Sequence, residues 1–339
     1  MKVTIEDIAK EANVSIATVS RVINNTKAVS PELRERVHEV IRKRNFRPNP
    51  LAKGLITNRT NIIGIVVPDI SNPIFGALTK GINNICEQQG YTLMVCESGG
   101  QREKELELLE ILADKKVDGL LFAGVDVNHS LVKEMKIKDY PIVLVTQEAS
   151  EGDEEIKTVV HDNVKATYDA VSFLINNGHK KIAFIGGPEN DYSSGQKRLK
   201  GFQLALKENN IEVPESYIEH GNFTFQSGFE SMKKIYEENS VLPTAVMVCN
   251  DIMAIAAIRF LENANMSVPH DISIMGFDDS EYANYFSPEL STVRISYFDE
   301  GVKAAKTLFK LIDDQYSIIP NTQFISHKII RRNSVRPIE

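Results

Sequence analysis

No apolar run in this 339-residue chain approaches the roughly 18 residues needed to span a bilayer, which argues against a helical membrane protein. The opening Met1-Lys2-Val3-Thr4-Ile5-Glu6-Asp7 has no apolar stretch that could act as a secretory signal, so export is not expected. Cysteine is scarce: Cys86, Cys96 and Cys249 are an odd number at wide spacing, which suggests neither a disulfide framework nor a metal cage and places the chain in a reducing cytoplasm. Tryptophan is absent. The common catalytic signatures are missing as well: no Gly-rich phosphate loop ending in Lys-Ser/Thr, no G-x-G-x-x-G, no G-x-S-x-G and no H-E-x-x-H. The histidines (His38, His129, His161, His179, His220, His270, His327) are scattered without ligand spacing. His179, following Gly178, reads as part of a helix C-cap. The acidic run from Glu148 to Glu155 reads as a solvated loop. No cofactor and no metal are expected, and the chain is not read as an enzyme.

What is present is an ordinary globular composition, 42% hydrophobic and 25% charged, at a length that fits two or three domains. The charge is unevenly placed. Residues 1–60 hold 12 Lys+Arg against 6 Asp+Glu, and the remainder holds 27 against 40, so a head of +6 precedes a body of −13. A basic head on an acidic body points to a polyanion-binding module joined to something else.

The head reads as three short helices. Thr4 with Asp7 resembles a capping box, and Ile5, Ile8, Ala9 and Ala12 follow at helical spacing. Asn13-Val14 breaks the pattern. Ser15 then caps a second helix with a buried stripe of Thr18, Val19, Val22 and Ile23, and Asn24 begins its polar end. Ser30-Pro31-Glu32 opens a third, lined by Leu33, Val37, Val40 and Ile41. Two short helices joined by a tight turn with a third behind them form a helix-turn-helix unit, whose second helix enters the major groove. Its outer side carries Ile16, Ala17, Ser20, Arg21 and Asn24, with Thr4, Ser15 and Thr18 beside them as further DNA contacts. Arg21 can pair with guanine, and the aliphatic groups can touch a thymine methyl.

From residue 61, strands at 62–67, 91–96, 119–123, 142–145, 158–160, 182–186, 245–249 and 272–277 alternate with helices near 73–89, 102–115, 163–177, 195–209, 226–239 and 251–264. That alternation gives parallel sheets covered on both faces, with enough strands for two. Ile63-Gly64-Ile65-Val66-Val67-Pro68 and Ile182-Ala183-Phe184-Ile185-Gly186-Gly187-Pro188 look like equivalent first strands, as in a duplication. The fold class is therefore an all-α helix-turn-helix head plus an α/β body of two doubly wound parallel-sheet lobes. Such lobes bind ligand in the cleft beyond the carboxyl ends of their strands. Asp69, Asn72, Phe75, Thr146, Gln147, Asn250, Asp251 and Asp278 stand at those positions.

Val3-Thr4-Ile5-Glu6-Asp7-Ile8-Ala9 and Val14-Ser15-Ile16-Ala17-Thr18-Val19-Ser20-Arg21-Val22-Ile23-Asn24 resemble the LacI/GalR family of bacterial transcription regulators. So do Arg47-Pro48-Asn49, Ala52, Leu55, Gly178-His179, Arg198 with Gly201-Phe202, Asn250-Asp251-Ile252-Met253-Ala254 and Gly276-Phe277-Asp278-Asp279. The resemblance implies a repressor of a sugar or carbon-utilisation operon, a homodimer or tetramer on a near-palindromic operator, and control by a small-molecule effector, a sugar or its derivative. It implies a head at 1–46, a hinge at 47–60 and a body at 61–339. The first lobe is then 61–160 plus 291–320, and the second 161–290 plus 321–339. In the hinge, Asn49, Ala52, Lys53 and Leu55 would meet DNA, Leu55 as a wedge in the minor groove. Lys53 replaces the usual Arg, and Gly54 beside it costs about 1 kcal/mol of helix stability relative to Ala.

In the cleft the resemblance, which extends to periplasmic sugar-binding proteins, gives Arg198 and Asp278 the ligand grip and makes Phe75 and Phe223 its walls. Asp278 also reads as a turn or cap residue, and both phenylalanines as plain core. Thr146-Gln147 stand where many sugar-responsive relatives carry Asp and Arg, and Ala166 and Ala256 where relatives often have Gly. Ile16-Ala17 resembles the catabolite control proteins, whose corepressor is phosphorylated HPr. Yet Asn284-Tyr285-Phe286-Ser287-Pro288-Glu289-Leu290 lacks the arginine those proteins use to grip it, so a global regulator of that kind is the alternative to a local one.

Overall fold

The computed structural model describes residues 3–24, 29–46, 59–150, 155–314 and 319–338. They fall into two compact units that meet at Asn61 and Ile62. The first holds α1 (Ile5–Glu11), α2 (Ile16–Asn24) and α3 (Pro31–Arg44). Each start follows from a local cap. Thr4 and Asp7 exchange hydrogen bonds, Ser15 accepts from the Thr18 amide at 3.1 Å, and Ser30 accepts from Leu33 with Pro31 in the first turn. Ile8, Ala9, Ala12, Val19, Val22, Val37 and Val40 close the core. Glu11 binds Lys43 and Arg44, tying α1 to the end of α3.

The second unit contains two six-stranded sheets. The first takes β1 (Ile62–Val67), β2 (Thr92–Glu97), β3 (Gly119–Phe122), β4 (Ile142–Val145) and β5 (Lys157–His161). Every pairing in it is parallel, which buries both faces and accounts for the continuous apolar runs of β1, β3 and β4. The second takes β6 (Ile182–Gly186), β7 (Ile218–His220), β8 (Ala245–Val248), β9 (Ser273–Asp278) and β10 (Ser291–Ile295). Two late strands are shared out: β11 (Thr322–Ile325) pairs with β5, and β12 (His327–Ile330) closes the second sheet antiparallel to β10.

This corrects the expected lobe boundaries. Residues 291–295 belong to the second lobe, because β10 runs in register with β9, Thr292 beside Gly276. Residues 322–325 belong to the first, because Phe324 pairs with Val160. The chain therefore passes between lobes after His161, at Ser296 and at Ser326. Packed on the sheets are α4 (Pro73–Gln88), α5 (Arg102–Asp114), α6 (His129–Lys136), α7 (Asn163–Asn176), α8 (Lys197–Glu208), α9 (Phe225–Glu238), α10 (Asp251–Asn263) and α11 (Tyr297–Ile312).

Helices α4 and α11 lie backbone to backbone. A Cβ on Gly81 would stand 2.1 Å from the Phe298 carbonyl oxygen, and one on Gly301 2.2 Å from that of Leu78. Two glycines are what allow this approach. Gly81→Ala should destabilise the body by about 1–3 kcal/mol through overpacking. A denaturant midpoint equal to wild type would show that the helices can separate without loss.

Candidate functional site

In the head, α2 presents Ile16, Ala17 and Arg21 to solvent, Ile16 at 48% exposure. Ser20 is half-buried. Thr4, Ser15 and Thr18 have structural duties: the Thr4 hydroxyl belongs to the first cap, and the Ser15 and Thr18 hydroxyls lie 2.9 Å apart in the second. The Thr4 donors hold the Asp7 carboxyl below its usual range, and Lys43 and Arg44 do the same for Glu11. The side chain of Asn24 and the hinge positions Asn49, Ala52, Lys53 and Leu55 lie outside the described residues.

In the body, the segments that follow the strands converge on one buried cluster. A π-helical turn, Tyr192–Gln196, is capped by Asp191 and leads into α8, setting Lys197 and Arg198 at its start. Arg198 is 4% exposed. Its Nε donates to Asn163 Oδ1 at 2.7 Å, one terminal nitrogen donates to the Cys249 carbonyl, and the other lies 3.3 Å from His161 Nε2. Its plane sits 3.7 Å above the Phe277 ring. Asp278 accepts from the Tyr297 hydroxyl at 2.6 Å, a bond from the second lobe to the first helix turn after the Ser296 crossing. Asp251 accepts from Thr292 at 2.6 Å and from the Ser280 amide at 2.7 Å.

Burial raises the carboxyl pKa values of both Asp278 and Asp251, and their mutual repulsion adds to the effect on Asp251. The Arg198 charge opposes the rise at Asp278. Burial also raises that of Asp191.

Further contacts join the lobes. Glu148 receives Lys197 Nζ at 2.6 Å, its amide donates to Ser193 Oγ at 2.7 Å, and Gln147 Nε2 lies 3.5 Å from Asp191. Glu148 is thus no member of a solvated acidic loop, because Lys197 pins it at the lobe junction. Its side chain is 15% exposed. Within the first lobe, the Thr146 amide donates to Glu300 Oε1 at 2.9 Å. Thr146, Phe223 and Asp278 adopt φ of +63°, +65° and +113°, conformations costly for non-glycine residues and concentrated where ligands are clamped.

Of the expected effector residues, Thr146, Gln147, Arg198, Asn250, Asp251 and Asp278 belong to this junction. Asn250 caps α10 and donates to the Phe223 carbonyl, and the Phe223 ring presses on Gly187. The other three have local duties. Asp69 accepts from Ser71, Asn72 caps α4, and Phe75 is 8% exposed within the core of the first lobe. Sequence reasoning missed Asn163, Asp191, Tyr297 and Glu300, and it dismissed His161. The spacing of Gly301, Ala304, Ala305, Leu308 and Leu311 was the available signal for α11, which carries two of them. His179 is structural, its ring placed between Thr244 Oγ1 and the Arg336 carbonyl. Among the described residues, no group of three His, Cys, Asp or Glu is placed to hold a metal, and no helix is long and apolar enough to cross a membrane.

A helix-turn-helix head with a two-lobed α/β body defines a DNA-binding regulator, and the comparisons agree. Residues 4–49 match the model of bacterial regulatory proteins, lacI family, and residues 171–335 that of a periplasmic binding protein-like domain. Catabolite control protein A of Priestia megaterium is 36% identical over 336 residues, 99% of this chain and 100% of that protein. The transcriptional repressor PurR of Aliivibrio salmonicida is 36% identical over 92% of this chain and 93% of its own length. The lac repressor dimer, solved bound to operator and the anti-inducer ONPF, superposes with a TM-score of 0.89 at 25% identity, covering 99% of this chain and 100% of that one. The chain belongs to the LacI family of bacterial regulatory proteins and is a DNA-binding transcriptional regulator.

The raised carboxyls give a test by pH. A carboxyl whose folded pKa exceeds its unfolded one binds protons on folding, so its contribution is favourable in acid and is lost as pH rises through the folded value. Denaturant midpoints of wild type should therefore fall between about pH 5 and 8 more steeply than those of Asp251→Asn. Parallel profiles would show that Asp251 does not titrate in this range.

Proposed function

We propose that this regulator represses a carbon-utilisation operon in the cytoplasm, binds a near-palindromic operator as a homodimer, and answers to a small polar effector held between its lobes. It acts by binding, without catalytic turnover. The observation that carries this reading is the junction itself. Tyr297 to Asp278, Lys197 to Glu148 and Arg198 to His161 all join opposite lobes. A ligand that enters there changes the first two of those bonds and so favours one lobe orientation over another. It alters DNA affinity only by its differential affinity for the two orientations. Asn24, Asn49, Ala52, Lys53 and Leu55 remain in the proposal as further DNA contacts.

Arg21→Ala should weaken operator binding by about 1–3 kcal/mol while leaving salt-sensitive binding to random DNA largely intact, as fluorescence anisotropy on both duplexes would read. Equal loss on both would make Arg21 a positioning residue.

A protein corepressor is a second reading that one observation favours. The segment Asn284 to Glu289 lines an open groove of about 770 Å³, together with Arg331, Arg332 and Arg336. Tyr285 is 74% exposed there and Phe286 47%. Serine-phosphorylated HPr should tighten operator binding under that reading. No change in the anisotropy curve on adding it leaves the small effector as the only control.

A further inference from the structure

The contacts that join the lobes differ in where they stand on the chain. Tyr297 follows the Ser296 crossing directly, and His161 stands immediately before Asp162. The chain itself keeps those residues near the other lobe whichever way the lobes lean. Glu148 and the turn Tyr192–Gln196 adjoin no crossing. No nearby stretch of backbone brings them together, so their contact depends on how the lobes lean.

Each half of that contact is fixed within its own lobe. Glu148 lies between Thr146, whose amide is bound by Glu300, and Ser150, whose amide donates to the Val127 carbonyl at 3.0 Å. On the other side the turn is wound tightly against Pro188. A Cβ on Gly195 would stand 2.1 Å from the Pro188 carbonyl oxygen, and the Gln196 amide reaches back to the Asp191 carbonyl at 2.8 Å, the long step of a π-helix. Between the lobes Glu148 is gripped twice. Lys197 Nζ donates to its carboxylate at 2.6 Å, and its own amide donates to Ser193 Oγ at 2.7 Å.

This grip is also open to water. The Lys197 and Glu148 side chains are 22% and 15% exposed, whereas Arg198, His161, Asp278 and Tyr297 are at most 7% exposed. Parting Lys197 from Glu148 therefore strands no charge away from solvent. Lys197 also keeps a partner in its own turn, since the Tyr192 ring centroid lies 4.8 Å from its Nζ. A contact held at two points when closed and solvated when open can switch without leaving a buried group unpaired.

We propose that Glu148, gripped by Lys197 and Ser193, is a latch that holds the lobes in this orientation, and that its closure sets the operator affinity of the protein before any effector arrives. The second half rests on the reading that lobe orientation governs DNA binding.

Spin labels on the full-length protein test the latch without DNA. Ile137 of the first lobe and Val241 of the second are exposed and take the labels as Ile137→Cys and Val241→Cys. Cys96→Ser removes the half-buried native thiol, Cys86 and Cys249 being buried. Dilution with unlabelled protein removes distances between copies. Glu148→Gln and Lys197→Met should each shift or broaden the interlobe distance in the same sense, and the double variant should go no further than the larger single. On a duplex that the wild type selects from a randomised pool, both singles should change affinity in one direction, by about fivefold or more, the low end of allosteric coupling. Distances unchanged in both singles overturn the latch, and so does a double variant equal to the sum of the two. Altered distances with unaltered DNA affinity overturn the second half of the proposal. A wild type that selects no duplex defeats the regulator reading, while the distances still decide the latch.

Discussion

The desolvated Arg198 guanidinium is the constraint on which the body is organised. A buried charge of this kind must be hydrogen-bonded on every side, and each hydrogen bond to it contributes about 1.5–3 kcal/mol. Its bonds reach the start of α7, the end of β8 and the end of β5, and its face rests on the end of β9. Three strands from two sheets and the start of one helix are thereby fixed by one side chain. The positive φ at Asp278 and Thr146 is held in place around that knot, because Tyr297 and Glu300 reach them from a single helix turn.

The lobes are joined at three crossings, and each is a short break between regular elements: Asp162, Ser296 and Ser326. Asp162 caps α7, and Ser296 leads directly into the turn that holds Tyr297 and Glu300. A change of lobe orientation is therefore felt by the same side chains that line the junction. The charged and hydroxyl groups there form the lobe–lobe bonds, so any change in them is coupled to the relative orientation of the lobes.

What was legible in the sequence was what is local. Thr4 with Asp7, Ser15, and Ser30-Pro31 mark the head because a cap and its partner lie within three residues. The runs at β1, β3, β4 and β8 are readable because a parallel strand buried on both faces is continuously apolar. The four strands that escaped, β7, β10, β11 and β12, are short or mix polar with apolar residues. The lobe boundaries erred by the length of β10 and β11, since nothing local in Ser-Thr-Val-Arg-Ile or Thr-Gln-Phe-Ile says which sheet will receive it. Asp278 and Arg198 were found through motif. Glu300 and His161 were not, since their meeting depends on where α11 begins and β5 ends in space.

The same distinction holds for the chemistry of the cleft. Arg198 in a sequence is an open donor fork, and beside Asp278 it suggests a grip on any polar ligand. In the fold its donors are already engaged, so a polar group entering there must either compete for them or break other bonds. Competing would break several bonds to a buried charge at once, each worth about 1.5–3 kcal/mol, a total above the roughly 1–3 kcal/mol of typical allosteric coupling. Displacing Tyr297 from Asp278, or Lys197 from a partly exposed Glu148, breaks a single bond of about 1–3 kcal/mol. The magnitudes therefore make Tyr297–Asp278 and Lys197–Glu148 the weaker of the lobe-joining contacts, and leave Arg198 as the fixed point between them.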